Sequence, residues 1–502
     1  MSYSGGSGTS GDPYQIAVAG DWAALCGTSG DWAAGTYFMI TADINFGGAS
    51  ILCVGGGRLE SGKFEGSFEG NGKTFSNFTL PGDDDTGNST ALFRMIASSG
   101  IVKNLNVSGA TVVGVTHSGT SVSTYGAVIC GELSAGGVVS NCSVTSSTVT
   151  MTYNTASYPD YFGIVVGACH GNVTDCSVIG GSVNVSATAN NTGTSNFIGG
   201  VVGYLTGTDV TNGTIMRCRS SATVTNNGAT ASTTVSYIGG ICGSQNAGTI
   251  SDCHFTGTIT YLDANALSGT TSSIGGVTGW CNSGVAGDIN KCSAVCSITV
   301  DQTGATKDCR IGGLAGRMGA ATIENSFANT AISLKAYTDY ADYVGGLVGF
   351  TASGAGISNC YAKGSFYDAR QSSPALFWNI CGGLVGDYVA GGTIDKCYVS
   401  FAAYTANPSA YHIEGFVGVP GTASSITNCF WEYDTGRGIS VDAAATGTTY
   451  ESTVQMKTLS TFTSAGWDFT STGQWAMAGY PVLSWENYGG VFMDELALMW
   501  GF

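Results

Sequence analysis

The sequence predicts an all-β chain folded as a right-handed parallel β-helix, a β-solenoid of ~36-residue repeats with N- and C-terminal caps. Three observations predict it. A glycine-rich hexapeptide recurs nine times, a cysteine recurs at one register behind it, and the residues after that cysteine alternate with period two.

The hexapeptide is clearest at Ile198–Gly203, Ile238–Gly243, Ile274–Gly279, Ile311–Gly316, Val344–Gly349 and Cys381–Gly386. Weaker copies stand at Tyr125–Cys130, Phe162–Gly167 and Ile413–Gly418. Successive copies are 37, 36, 40, 36, 37, 33, 37 and 32 residues apart. A phosphate-binding glycine loop follows one strand, opens one helix and occurs once per domain. A motif repeated at this period instead marks a coil whose glycines sit at bends and close approaches. Units this short cannot bury a core alone, so they must stack, and the handedness of parallel crossovers favours a right-handed coil.

The second anchor places Cys142, Cys176, Cys218, Cys253, Cys292, Cys360, Cys397 and Cys429 at one register, with Ser326 in the remaining copy. After Cys253, Phe255 and Ile259 share one face; His254, Thr256 and Thr258 share the other, which is expected to point outward. The cysteines are then an interior ladder in which each thiol acts as a small hydrophobe. Disulfides between rungs are disfavoured by the odd total of 17 cysteines. The residue before the cysteine is Asn, Asp, Arg or Lys, which reads as a turn position.

Three segments follow: 1–124 as N-terminal cap and degenerate first rungs, 125–432 as the repeats, and 433–502 as C-terminal cap and apolar tail. In the first, residues 20–27 form a short helix with Asp21 at or near its N-cap and Trp22 and Leu25 over the first rung. Residues 37–46 form a strand, 64–80 two strands about a tight Asn71-Gly72 turn, and 92–107 a degenerate repeat. In the last, the stretch after Ser452 reads as one helix. Trp431, Trp467, Trp475, Trp485 and Trp500 gather in this terminal region. They suit a cap, and the 488–502 tail suits a docking surface.

Composition excludes several classes. The net charge is −17 with only 17 Lys+Arg, so nucleic acid would be repelled. No apolar run reaches the ~20 residues of a membrane helix. The first ten residues carry no basic or apolar run, so no signal peptide is expected in this chain. No C-x-x-C occurs, and His117, His170, His254 and His412 are scattered, so neither a metal nor another cofactor is expected. Asp83, Asp84 and Asp85 read as a solvated loop, not a Ca²⁺ site. No nucleophile-elbow, zincin or phosphate-loop motif appears, and no catalytic residue is assigned. Carboxylates from different rungs could still meet in space. The variable connections 147–161 and 366–380 carry aromatics: Tyr153, Tyr158, Tyr161, Phe366, Tyr367, Phe377 and Trp378. With Trp500 and Phe502 in the tail, they are the candidate surface for a glycan, receptor or partner protein.

Gly383-Leu384-Val385-Gly386 and Gly346-Leu347-Val348-Gly349 resemble the core of the GLUG-motif repeat proteins. The flanks at 6–17, 37–46, 64–80 and 428–485 are similar to that family's leader and terminator, so the resemblance spans about 6–487. Departures are Cys130 and Ile164 in the first two motifs, Glu414 in the last, and the 488–502 tail. The resemblance implies a β-solenoid of the kind found among bacterial surface adhesins and phage tail-fibre components. The expectation is a non-enzymatic fibre protein, most simply a tail-fibre or decoration component of a phage virion, binding a cell-surface glycan or partner protein. A bacterial surface adhesin and a polysaccharide depolymerase on the same scaffold are the alternatives. Partners would include other virion or surface-structure proteins through 488–502, or a second copy of the chain; the location would be the virion or cell surface.

Overall fold

A computed structural model describes residues 3–55, 62–82, 89–114, 123–153, 159–187, 195–208, 211–228, 235–263, 271–282, 288–302, 308–335, 342–369, 379–389, 391–405, 411–421, 425–433, 446–488 and 491–492. The chain is an all-β parallel β-solenoid of ~36-residue repeats with very little helix. It divides into two compact units, Met1–Thr249 and Ile250–Phe502.

Each complete coil of the first unit has four stations. One coil runs Ser195–Gly199, Val202–Leu205, Thr214–Met216, then Arg219–Ser220 and Thr223–Gly228. The glycine motif therefore makes two strands, because the chain bends at its glycine pair. The reason is close backbone approach. A Cβ on Gly199 would lie 1.9 Å from the Val202 carbonyl oxygen, and one on Gly200 2.1 Å from that of Gly240. Neither φ lies in the left-handed region; only the absence of a side chain lets neighbouring backbones meet there.

All four stations pair in parallel, in register apart from one shift between Asn45 and Ala49. Phe38, Phe68 and Val102 form one interior column, continued by Val139, Val173 and Ile215. Stacking like on like gives each side chain a neighbour of matching shape about 4.8 Å away. The coils begin at once: Tyr14–Ile16 pairs in parallel with Tyr37–Ile40. The strands flanking Asn71-Gly72 do not form the expected hairpin. Ser67–Glu69 pairs with residues 37–39 and 101–103, and Thr74–Leu80 with residues 106–112, all in parallel. Both turn residues take positive φ, but the turn is a corner of the coil.

A helix over Ala19–Gly27 closes this unit's start. Trp22 sets its ring edge-to-face against Phe68, Phe75 and Phe93. Val18 is the N-cap, and Asp21 lies three residues on, accepting hydrogen bonds from the Ala17 and Val18 backbone N–H. That carboxylate satisfies N–H groups the helix leaves open.

The second unit repeats the plan. Its interior column is Ile250, Ile289, Ile323, Ile357, Ile394 and Ile426. Beyond Cys429–Glu432, one further strand, Thr448–Glu451, pairs in parallel. The helix expected after Ser452 is two: Thr453–Met456 and Leu459–Thr463. An antiparallel hairpin follows, Trp475–Ala478 with Tyr480–Leu483.

These closing elements do more than cover the last coil. They lie along the residues that follow the ladder position in four coils. Phe327, Tyr361, Tyr398 and Phe430 form a buried column packed with Met456, Phe462, Trp467, Trp475 and Leu483. Indole N–H groups tie the two sides: Trp467 donates to the Asn428 carbonyl at 2.9 Å and Trp485 to that of Asn325 at 2.9 Å. The cap is a lateral strap, because the coil offers it an aromatic face.

Candidate functional site

From residue 104 onward, the residue before the ladder position is left-handed in each coil. In the first unit these are Asn104, Asn141, Asp175 and Arg217, with φ of 57°, 49°, 57° and 52°. In the second they are Asp252, Lys291, Asn325, Asn359, Lys396 and Asn428. An L-residue in this region carries about 1–2 kcal/mol of strain, least for Asn and Asp. The ladder side chain supplies a compensating contact. Cys142 Sγ donates to the Ser140 carbonyl at 3.3 Å, Cys176 to Thr174 at 3.3 Å and Cys218 to Met216 at 3.4 Å. Cys253, Cys292, Cys360, Cys397 and Cys429 each bond the carbonyl two residues back in the same way. Ser326 Oγ makes the equivalent bond to Glu324 at 2.7 Å. The ladder is thus more than a column of small hydrophobes. From Cys142 onward it combines a small side chain with one donor, and the serine obeys the rule; Leu105, buried at the same register one coil earlier, fills the position without a donor. All seventeen cysteines are thiols. Burial, with the neighbouring ladder thiols, pushes the Cys397 thiol well up.

Where the bends of the first unit follow one another, a polar groove of about 540 Å³ opens. Its walls are Glu69, Asn71, Asn104, Asn106, Asn141, Ser143, Asp175 and Ser177, from four consecutive coils. Asn141 Nδ2 donates to Asn104 Oδ1 at 2.7 Å, and Asn104 Nδ2 donates to Glu69 Oε1 at 2.8 Å. Glu69 also accepts from the Asn71 backbone N–H and pairs with Lys103 at 3.5 Å. Arg217 holds Asp175 with two hydrogen bonds of 2.6 and 2.8 Å. Ser177 Oγ donates to Ser143 Oγ at 3.1 Å. Amides and hydroxyls recur at each coil, and both carboxylates have cationic partners.

The aromatic residues expected at the surface divide. Tyr161 is half-buried in a stack with Tyr125 at 5.1 Å and Phe197 at 5.3 Å, which continues to Tyr237. Phe366 is fully buried, contrary to expectation, while Tyr367 is 52% exposed. Consecutive residues of one strand, Tyr361–Asp368, must face opposite sides. Tyr367 is in register with Tyr404, also exposed. The backbone of Tyr153 ends a strand; its side chain, with Tyr158, Phe377, Trp378, Trp500 and Phe502, lies outside the described residues. His254, expected outward, is 6% exposed. Its Nδ1 lies 2.9 Å from Ser293 Oγ and Nε2 3.1 Å from Asp252, with the Trp485 ring stacked at 5.5 Å. The strap covers the face that the period-two pattern assigns to solvent.

Sequence reasoning missed the groove, though its signal was present. The residue after the ladder position is polar at Ser143, Ser177 and Arg219 but aromatic at Phe327, Tyr361, Tyr398 and Phe430. The aromatic residues mark where the strap packs, and Trp485 reaches on to cover His254 at the same position. A buried aspartate was also missed. Asp160 is fully buried, accepts the Thr124 N–H at 3.0 Å through Oδ1 and leaves Oδ2 without a hydrogen bond. Burial pushes its carboxyl up to about 7. Asp342, also buried, accepts the Cys309 N–H at 2.8 Å. Among the described residues no three His, Cys, Asp or Glu side chains gather as a metal site, and no helix is long and apolar enough to cross a membrane.

With this geometry the chain defines itself as a parallel β-solenoid carrying the GLUG motif, whose family description matches residues 234–260 and 340–367. Those matches cover the glycine-cysteine unit centred on Cys253 and the one centred on Cys360. No curated protein matches the chain. A crystal structure from Bacteroides ovatus, provisionally described as an immunoglobulin A1 protease, is similar at 16% identity and a TM-score of 0.36, over 96% of this chain and 95% of that one.

Proposed function

We propose that this chain is a binding protein for a cell-surface glycan, carried as a tail-fibre or decoration component of a phage virion. The observation behind the reading is the groove of the first unit. It presents amides and hydroxyls from four coils on a backbone that in-register pairing holds rigid. Recognition of sugars rests on such paired donors and acceptors. Its two carboxylates serve as acceptors for Asn104, Lys103 and Arg217. Binding needs only that; hydrolysis of a glycosidic bond needs one carboxyl holding a transferable proton and a second placed across the bond. The ladder thiols hydrogen-bond backbone carbonyls as thiols, which suits assembly in a reducing cytosol.

Two measurements test this. Immunogold labelling with an antibody to the chain should decorate virions; gold on the bacterial envelope alone points to the adhesin. Purified host polysaccharide should retain the protein and emerge with no new reducing ends. New reducing ends would replace the reading with a depolymerase.

A further inference from the structure

We infer that the groove takes a linear, uncharged glycan lying along the stacking direction, with one sugar residue over each coil. This rests on the glycan-binding reading and specifies its ligand. Three observations carry it.

The first is periodicity. The lining repeats the same two positions from coil to coil: Asn104 with Asn106, Asn141 with Ser143, Asp175 with Ser177. Parallel pairing holds Asn106, Ser143 and Ser177 in strict register. The groove therefore repeats about every 4.8 Å, close to the length of an extended sugar residue. A ligand with the same repeat meets equivalent groups at every step, and a branched or globular ligand does not.

The second is charge. The chain carries −17 overall, yet this groove is locally balanced. Lys103 offsets Glu69, and Arg217 offsets Asp175 through two hydrogen bonds. Among the residues lining the groove an acidic polysaccharide would find no cation, and it would meet the field of the whole molecule. A neutral glycan meets neither penalty.

The third is unused hydrogen-bonding capacity. An asparagine side chain offers two N–H donors and a carbonyl with two lone pairs. Asn141 engages Asn104 through one N–H, and the contact to Ser143 comes from the Ser177 hydroxyl. Asn141 keeps its carbonyl, and the Ser143 hydroxyl can still donate. Asn141 and Asp175 are exposed, while Asn104, Asn106, Ser143 and Ser177 are partly so. Sugar hydroxyls both donate and accept, and so fit such a mixed lattice. An apolar peptide would find no anchor, since Cys142 is the sole apolar residue among those lining the groove and is buried.

The test is calorimetric titration of the full chain with three oligosaccharide ladders of one to eight residues: cello-oligosaccharides and N-acetylchito-oligosaccharides, both neutral, and oligoguluronates, which are anionic. Two variants accompany it. Asn141→Gly removes the amide while keeping the left-handed backbone, and Ser177→Ala removes one hydroxyl. Thermal melts confirm that each variant folds. The expected result is binding to a neutral ladder that strengthens with each residue up to about four, the number of coils lining the groove, and then levels off. Each substitution should weaken the tetramer about five- to tenfold, the value of one hydrogen bond. Affinity independent of length, preference for the anionic ladder, or indifference to both substitutions would overturn this inference while leaving glycan binding standing. Absence of binding to all three ladders, and to host polysaccharide, would remove both.

Discussion

At the residue scale, three positions define a coil: the motif glycine, the left-handed bend and the ladder thiol. The bend and the thiol act as a pair. At the bend, Lys396→Val should lower stability by about 1–2 kcal/mol in urea unfolding, because a β-branched side chain resists positive φ, whereas Lys396→Gly should not. At the ladder, Cys360→Ser should be tolerated as Ser326 is, while Cys360→Ala should lose about 1–2 kcal/mol by leaving the Ser358 carbonyl without its donor. Equal losses for Ala and Ser would mean that the thiol acts only through packing. Asp160 contributes to the pH dependence. Its carboxyl sits near 7 in the fold and near 3.8 once the chain is unfolded, so the folded chain holds a proton that the unfolded chain releases between these values. Stability should therefore fall as pH rises from about 4 to about 7 and then level. Asp160→Asn should flatten that part of the urea-midpoint profile; an unchanged slope would assign it elsewhere.

At the element scale, the strap is the main departure from what the sequence alone suggested. Five tryptophans near the C-terminus read as a cap; Trp467, Trp475 and Trp485 belong to the strap, and Trp500 lies outside the described residues. Their lateral placement was not legible from the tryptophans themselves, because it depends on a column assembled from four different coils. The clue lies at Phe327, Tyr361, Tyr398 and Phe430, where an aromatic residue replaces the serine found at positions 143 and 177. His254 departs from expectation for the same reason: period two gives the side of a strand, not whether something covers it. Phe366 departs because nearness to a variable connection does not decide exposure; the strand face does. Trp475→Ala should cost about 3–5 kcal/mol as a large cavity opens beside Tyr361 and Tyr398. Ending the chain after Glu451 should expose the aromatic column and raise dye binding and light scattering; a monodisperse product with native melting would contradict the strap.

At the scale of the whole molecule, the repeat was fully legible and the ligand surface was not. Glycine spacing, the cysteine register and period two each follow from local constraints that every coil must meet, so they are written nine times. The groove has no such redundancy. It depends on which polar residues happen to follow one another across coils, a property of the stack that no single repeat contains. In the proposed reading, the open bend face of the first unit is the functional surface and the coil is its support. Glycan-array screening of the full chain beside Ser177→Trp, which places an indole in the groove, tests this most directly. The expected result is a defined set of neutral surface carbohydrates bound by the native chain and lost in the variant, with melting unchanged. Equal signals from the two proteins, or none from either, would contradict it.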